Sequence, residues 1–173
     1  MNLYLNKTYY NEINKLVYSK FKDNRGEFLK IFCQKTLKQI NFKIKEINIS
    51  KNPKRGTFRG FHFQNIYRES KIFNVLKGEV YFYAINLKKK NKNYLKQAKF
   101  KISEKSGFAI HVPKHFATAF FTLKSNTEIL YLMNNYYKPR YAKGINYNDP
   151  KIKIKLPFKP KIISEKDKNW SFI

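Results

Sequence analysis

The segment RGTFRGFHFQ, residues 55–64, places Arg59 and His62 three positions apart in an aromatic run that also contains two glycines. Its aromatic residues favour a β-strand. Strand alternation then predicts that His62 points to one face and Arg59 to the other. Gly60 is expected to leave open space beside the histidine, and a glycine within a strand often marks a bulge or a close approach to the backbone. These residues alone leave two interpretations open: a core strand with a hydrogen-bonded histidine, or a catalytic base.

Short segments of strand character surround this run and alternate with turns. The predicted strands are residues 27–32, 42–47, 57–64, 71–76, 79–87, 99–102, 107–112, 117–123 and 127–133. Residues 1–20 are predicted to be weakly extended, 22–26 to form a turn and 36–40 a short helical turn. Lys77-Gly78 predicts a hairpin, and Ser164 is a candidate cap of a short helix. Many short strands at this spacing predict an all-β sandwich or barrel.

Composition limits the possible classes of function. A chain of 173 residues, with 17% aromatic residues, is expected to form a single domain, residues 1–173, with a β-rich core. The formal charge of +26 allows nucleic-acid binding, but lysines are spread along the chain and cluster only in KKKNK at 88–92. We therefore do not favour nucleic acid as a partner. The charge predicts instead that an anionic ligand is attracted.

Several chemistries lack their sequence signatures. Cys33 is the only cysteine, so a cysteine-based zinc site is excluded, and the chain has no His-x-His pair, so we expect no catalytic metal. Neither a phosphate-binding glycine loop nor a G-x-S-x-G motif is found. No apolar run is long enough to span a membrane or to act as a signal peptide, and a cytoplasmic location is expected. Acid–base chemistry by a histidine remains, and spacing does not identify its carboxylate partner.

The motif R-G-T-F-R-G-F-H-F-Q resembles the R-G-x-x-R-G-x-H-x-Q signature of the nucleotide-sugar 3,5-epimerases, the dTDP-4-dehydrorhamnose 3,5-epimerase type. Further segments resemble that family in the same order: D-N-R-G-E-F at 23–28, N-I-S at 48–50, K-I-F-N-V-L-K-G-E-V at 71–80, V-P-K-H-F-A-T-A-F at 112–120, Y-L-M-N-N-Y-Y-K-P at 131–139, G-I-N-Y-N-D-P at 144–150 and I-S-E-K-D at 163–167. The resemblance extends from about residue 21 to residue 168. The ordered set favours the catalytic interpretation of His62.

The resemblance implies a cupin-type jelly roll, a double-stranded β-helix barrel with short flanking helices, usually in a homodimer with exchanged strands. It implies a cofactor-independent reaction on a nucleoside-diphosphate 4-keto-6-deoxy sugar that supplies a surface polysaccharide. The 4-keto group acidifies the hydrogens on C3 and C5. A base removes one proton, positive charge holds the enolate, and an acid returns a proton to the opposite face.

The resemblance also assigns residues by position. His62 matches the base, Asp167 its paired carboxylate, Tyr131 the acid and Lys71 the cation near the developing oxyanion. Arg59 and Arg25 match diphosphate contacts, and Tyr137 matches the aromatic residue that stacks on the nucleotide base. The remaining matched substrate contacts are Glu46, where the family usually has glutamine, Asn48, Gln64 and Thr118.

Four positions depart from the family pattern. Thr118 stands where the family has a histidine, and Phe82 where it has an acidic residue. Lys30 and Ala142 likewise replace acidic residues. Together these changes favour a different sugar, nucleotide or stereochemical scope. They also keep two alternatives open: a nucleotide-sugar ketoisomerase, or a sugar-nucleotide binding protein without activity.

Overall fold

The computed structural model describes residues 4–8 and 12–173, and this part of the chain folds almost entirely into β-strands. The strands are β1 (Tyr4–Thr8), β2 (Ile13–Val17), β3 (Lys20–Asp23), β4 (Gly26–Leu29), β5 (Glu46–Asn52), β6 (Phe58–Gln64), β7 (Lys71–Lys77), β8 (Glu79–Asn86), β9 (Gln97–Ser103), β10 (Phe108–Val112), β11 (Phe116–Thr122), β12 (Thr127–Met133) and β13 (Ala142–Gly144). Two short helices, α1 (Gln34–Lys38) and α2 (Glu165–Lys168), and a 3₁₀ turn at Pro139–Tyr141 complete the described elements.

The strands form two antiparallel sheets. One has six strands in the order β1-β2-β10-β7-β12-β5, and the other has five in the order β13-β6-β11-β8-β9. Strands β3 and β4 form a separate hairpin. Apolar side chains from both sheets, including Phe73, Phe82 and Ile110, share one buried cluster between them. The predicted all-β, cupin-type barrel with short flanking helices is confirmed.

The outer face of the five-stranded sheet is also covered, and that of the six-stranded sheet is covered in part. Residues 145–163 pack across the five-stranded sheet, where Ile145 and Ile152 join Phe58 and Phe61 in a second apolar cluster. Helix α1 packs against the six-stranded sheet through Leu37. The covering segment over β6 brings α2, and with it Asp167, close to this strand.

Strand β6 contains a bulge that decides where its side chains point. Thr118 of β11 pairs with His62, whereas Phe120, two residues further on, pairs with Arg59. Because residues two apart on a regular strand share a face, the extra residue in β6 places Arg59 and His62 on the same face. The prediction that they point to opposite faces is therefore wrong, and the bulge is the physical reason.

Gly60 lies in this bulge, with a φ of +128°. A Cβ atom built there would lie 2.5 Å from the Cβ of Ala119 and 2.7 Å from the carbonyl oxygen of Thr118. The close backbone approach suggested by a glycine in a strand is thus found. The expected open space is not, because β11 fills it.

Most predicted strands are found within a few residues of their expected bounds. The Lys77-Gly78 hairpin joins β7 to β8, and the turn at 22–26 joins β3 to β4. The predicted strand at 42–47 begins only at Glu46, and the one at 27–32 ends at Leu29. The weakly extended residues 1–20 contain β1 and β2, although residues 1–3 and 9–11 lie outside the described part.

Helices in the described residues are all too short or too polar to cross a bilayer. The cytoplasmic location stays a prediction.

Candidate active site

A cavity of about 530 Å³ lies between the two sheets. Eight of the eleven residues assigned catalytic or substrate-binding roles line it: Arg59, His62, Gln64, Lys71, Thr118, Tyr131, Tyr137 and Asp167. His62 stands on the five-stranded sheet, whereas Lys71 and Tyr131 stand on neighbouring strands of the six-stranded sheet. The cavity therefore has a histidine on one wall and a phenol and an ammonium group on the other.

His62 is paired with Asp167 across 105 residues of sequence. The distance from His62 Nε2 to Asp167 Oδ1 is 2.6 Å. The carboxylate side chain is only 5% exposed, whereas the imidazole is 44% exposed. The carboxylate thus lies behind the ring, and the ring faces the cavity.

The local fold of α2 fixes the carboxylate of Asp167. Ser164 caps the helix, as the sequence predicts, by accepting a hydrogen bond of 3.1 Å from the amide of Asp167. The amide of Gly60 donates to Oδ2 at 3.2 Å, and Trp170 Nε1 donates to Oδ1 at 3.1 Å. Every one of these donors favours the ionised carboxylate.

Burial is the largest single influence on the pKa of Asp167 and acts to raise it. The hydrogen bond and charge of His62, with the donors Gly60 and Trp170, together outweigh burial. The pKa of Asp167 therefore lies below its ordinary value, and the carboxylate is ionised at neutral pH. An ionised Asp167 accepts from His62 Nε2–H, which leaves Nδ1 as the ring nitrogen able to take up a proton.

Tyr131 lies on β12, its ring stacked on Phe73 with centroids 5.7 Å apart. Burial, the largest influence, raises the pKa of Tyr131. The charge of Arg59 opposes that rise, and the charges of Glu46 and Tyr137 add to it. The phenol is consequently protonated at neutral pH and able to donate.

Lys71, at the start of β7, forms an ion pair with Glu69, with 2.8 Å between Nζ and Oε1. Sequence reasoning missed Glu69, although its position two residues before Lys71 would place it on the same face of an extended chain. It also missed Trp170, the only tryptophan, which follows Asp167 by three residues, a spacing that brings side chains together on a helix.

Arg59 and Gln64, two further residues matched to the family, are held in the cavity wall by hydrogen bonds to other protein groups. Arg59 Nε donates to Asn52 Oδ1 at 3.0 Å, which aligns its guanidinium. Gln64 is buried, and its Oε1 accepts from the amide of Lys138 at 2.7 Å.

Three residues assigned as substrate contacts do not line the cavity. Arg25 lies in the β3–β4 turn, where it pairs with Asp23 at 2.6 Å and its side chain is 83% exposed. Glu46 Oε1 accepts from the amide of Tyr137 at 2.7 Å and so supports the segment that carries this ring. Asn48 Nδ2 lies 3.7 Å from Met133 Sδ.

The departures from the family pattern fall in different places. Thr118 and Ala142 line the cavity. Phe82 is buried in the core, its ring centroid 4.5 Å from that of Phe73. Lys30 directly follows β4. The first two positions therefore shape the cavity wall, and Phe82 supports it through Phe73.

The other two histidines lie outside the cavity lining. His111 is buried, with Nδ1 3.0 Å from Asn14 Nδ2 and Nε2 2.7 Å from the Ser70 hydroxyl. Burial lowers the pKa of His111 to about 4, so the ring is neutral at pH 7. His115 pairs with Glu12 at 2.5 Å.

The chain is similar to known proteins of one named family. The family model described as dTDP-4-dehydrorhamnose 3,5-epimerase matches residues 7–173. Curated enzymes of that name are similar: one from Methanothermobacter thermautotrophicus is 29% identical over 87% of this chain and 83% of its own, and one from Shigella flexneri is 31% identical over 86% and 84%. The crystal structure of the Bacillus anthracis enzyme, with TDP and PPi bound, has a TM-score of 0.94 and 27% identity, and covers 99% of this chain and 100% of its own.

Proposed function

The chain belongs to the dTDP-4-dehydrorhamnose 3,5-epimerase family, an isomerase-class family of sugar epimerases, and on that premise we propose that it epimerises a nucleoside-diphosphate 4-keto-6-deoxy sugar at C3, C5 or both. The observation that carries the proposal is a single cavity with His62, backed by buried Asp167, on one sheet and Tyr131 on the other. A sugar ring between the sheets would present opposite faces to these groups.

The chemistry follows from the protonation states. Nδ1 of His62 takes the proton from the carbon beside the keto group, and Asp167 stabilises the imidazolium that forms. The ammonium of Lys71 stabilises the enolate oxygen, because a fixed positive charge there acts on the charge that develops in the transition state. Tyr131 donates a proton from the other side and inverts the centre. We propose that this sequence needs no cofactor.

At the nucleotide end, we assign Arg59 to the diphosphate and Tyr137 to stacking on the base. A guanidinium presents paired N–H donors that suit phosphate oxygens. The similar curated enzymes carry dTDP in their names, so a dTDP-linked sugar is the first substrate to test. We propose that the product supplies a surface polysaccharide.

We further propose a homodimer with exchanged strands in which Arg25 reaches the partner's cavity. Arg25 lies outside its own cavity lining, on a hairpin that exposes Phe21 and Phe28. Strand β5 is the last strand of its sheet, and it exposes Ile47 and Ile49. Large exposed apolar side chains on a sheet edge favour association.

Incubation with dTDP-4-keto-6-deoxyglucose in D₂O tests the reaction. We expect deuterium at C3, C5 or both by NMR, with an inverted product. Binding without any deuterium uptake, for dTDP- and GDP-linked substrates alike, would support the inactive binding protein instead. A product whose keto group has moved would identify a ketoisomerase.

A further inference from the structure

The two acidic side chains that line the cavity each form an ion pair with a cavity-facing side chain. Asp167 lies behind His62, and Glu69 lies behind Lys71. In the second pair the carboxylate side chain is 4% exposed and the lysine 12% exposed. His62 and Lys71 therefore each have a buried carboxylate as support, although the two pairs stand on opposite sheets.

Both oxygens of Glu69 are occupied. Oε1 accepts from Lys71 Nζ at 2.8 Å, and Oε2 accepts from Gln64 Nε2 at 3.0 Å. The orientation of Gln64 is fixed, because its Oε1 accepts from the amide of Lys138 and its Nε2 also contacts the carbonyl oxygens of Tyr67 and Tyr136. Position 69 therefore needs two acceptors. An amide in place of the carboxylate would direct its NH₂ group at one of two donors.

The backbone around this carboxylate is anchored from the opposite side. The amide of Ser70 donates to Asn134 Oδ1 at 2.6 Å, and the amide of Asn134 donates to the Ser70 carbonyl at 3.2 Å. The Ser70 hydroxyl donates to the carbonyl of Val112 at 2.8 Å, which leaves it to accept from His111. Residues 69–71 are thus held on both sides, and the direction of the Lys71 side chain is set by Glu69.

We propose that Glu69 is a positioning residue that holds the Lys71 ammonium group at the place where the substrate oxyanion forms. This inference rests on the proposed function, because it takes Lys71 as the oxyanion-stabilising group. Glu69 itself acts through Lys71 and through no contact with substrate. A carboxylate is required at position 69, since it has one oxygen to accept from Lys71 and a second to accept from Gln64, whereas a side-chain amide has a single acceptor oxygen.

A double-mutant cycle tests this. Glu69→Gln should lower kcat about tenfold or more with KM unchanged, because the oxyanion develops only in the transition state. Lys71→Met should lower kcat roughly 100-fold. If Glu69 acts through Lys71, the double variant should match Lys71→Met within about twofold. Additive losses would overturn the proposal, since they would mean that Glu69 acts by another route.

A chemical readout separates this inference from the reaction itself. Reductive methylation followed by peptide mass spectrometry reports the reactivity of each lysine. We expect Lys71 to react several-fold more slowly than Lys101 in the wild type, and to approach its rate in Glu69→Gln. Equal Lys71 rates in wild type and variant would overturn the proposal, whether or not any sugar nucleotide is converted.

The matched control is Glu79→Gln. Glu79 pairs with Lys101 at 3.3 Å, away from the cavity lining. This change should leave kcat and the Lys71 methylation rate unaltered. If the wild type takes up no deuterium, that result counts against the proposed function. It does not count against the Glu69–Lys71 contact, because the methylation rates test this contact independently.

Discussion

Arg59 and His62 share one face of β6 although three positions separate them, because β6 accommodates an extra residue opposite Thr118 and Phe120. The shared face opens into the cavity, so one strand contributes both the guanidinium assigned to the diphosphate and the proposed base. A regular strand would have directed one of them into the apolar layer outside the sheet.

Gly60→Ala should therefore disturb both stability and activity. A Cβ at residue 60 would lie 2.5 Å from the Cβ of Ala119, in a backbone with φ of +128°. We expect unfolding free energy, measured in urea, to fall by about 2–4 kcal/mol. Gly26→Ala is the control: φ is +131° but nothing lies within 4 Å of the added atom. That variant should lose only about 1 kcal/mol, and equal losses would contradict the role of β11.

Substitution of His62 should lower activity more than substitution of its partner Asp167. His62→Asn should abolish deuterium uptake while dTDP affinity stays the same, since the base acts on the sugar. Asp167→Asn should lower kcat roughly 100-fold, because the imidazolium loses its stabilising charge. Glu165→Gln, which alters a surface pair with Lys168 in the same helix, should change little. NMR measures deuterium uptake, and isothermal calorimetry measures the affinity for dTDP.

Tyr131→Phe should separate proton removal from inversion. The variant keeps the stacked ring but has no phenol proton, so epimerisation should fall roughly 100-fold. Deuterium uptake without inversion should persist, because His62 still removes and returns a proton on its own face. In the wild type, the raised pKa of Tyr131 keeps the phenol protonated through mildly alkaline pH. Any decline in rate that comes from this group should accordingly have its midpoint above about pH 10.

The buried His111 predicts loss of stability in mild acid. Its pKa in the folded chain is about 4, against an ordinary 6.5, so the unfolded chain takes up the proton first. Unfolding free energy should be insensitive to His111 above about pH 6.5 and should fall by roughly 3 kcal/mol as the pH drops to about 4. Asp167, whose pKa is lowered from 3.8, adds a further loss only below that range. NMR titration of the His111 ring should show no protonation above pH 5.

Arg25 allows a direct test of the proposed dimer. Arg25→Ala and His62→Asn should each be inactive as homodimers. Co-expression of the two should restore activity, because one cavity of the mixed dimer has His62 from one chain and Arg25 from its partner. Failure to restore activity in a purified mixed dimer would assign Arg25 to another role.

Local pattern was sufficient to predict most of the β architecture. The hairpin at Gly78 is predictable because a glycine marks a turn that needs a positive φ, here +83°, and a Cβ at this position would meet Thr127 Oγ1. The faces of β6 were not predictable, since the bulge is defined by pairing with β11, more than 50 residues away. The β-propensity of one strand does not indicate which residues of the neighbouring strand will pair with it.

The candidate site, too, is predictable from local sequence only in part. The residue types near His62 do not decide between a core histidine and a base, because the deciding carboxylate lies 105 residues further on. The ordered resemblance to a family supplied that partner, and the structure brings the two within 2.6 Å. Glu69 and Trp170 were missed because each acts by supporting a neighbour, which no motif marks.

The contact between His62 and Asp167 encloses seven strands, β7 to β13, in one loop of the chain. Joining positions so distant costs more chain entropy than pairing adjacent strands, so such contacts tend to form late. During refolding, the barrel should mature before its catalytic dyad does. Enzymatic turnover would then register the last stage of assembly, after the spectroscopic signal of the sheets has reached its plateau.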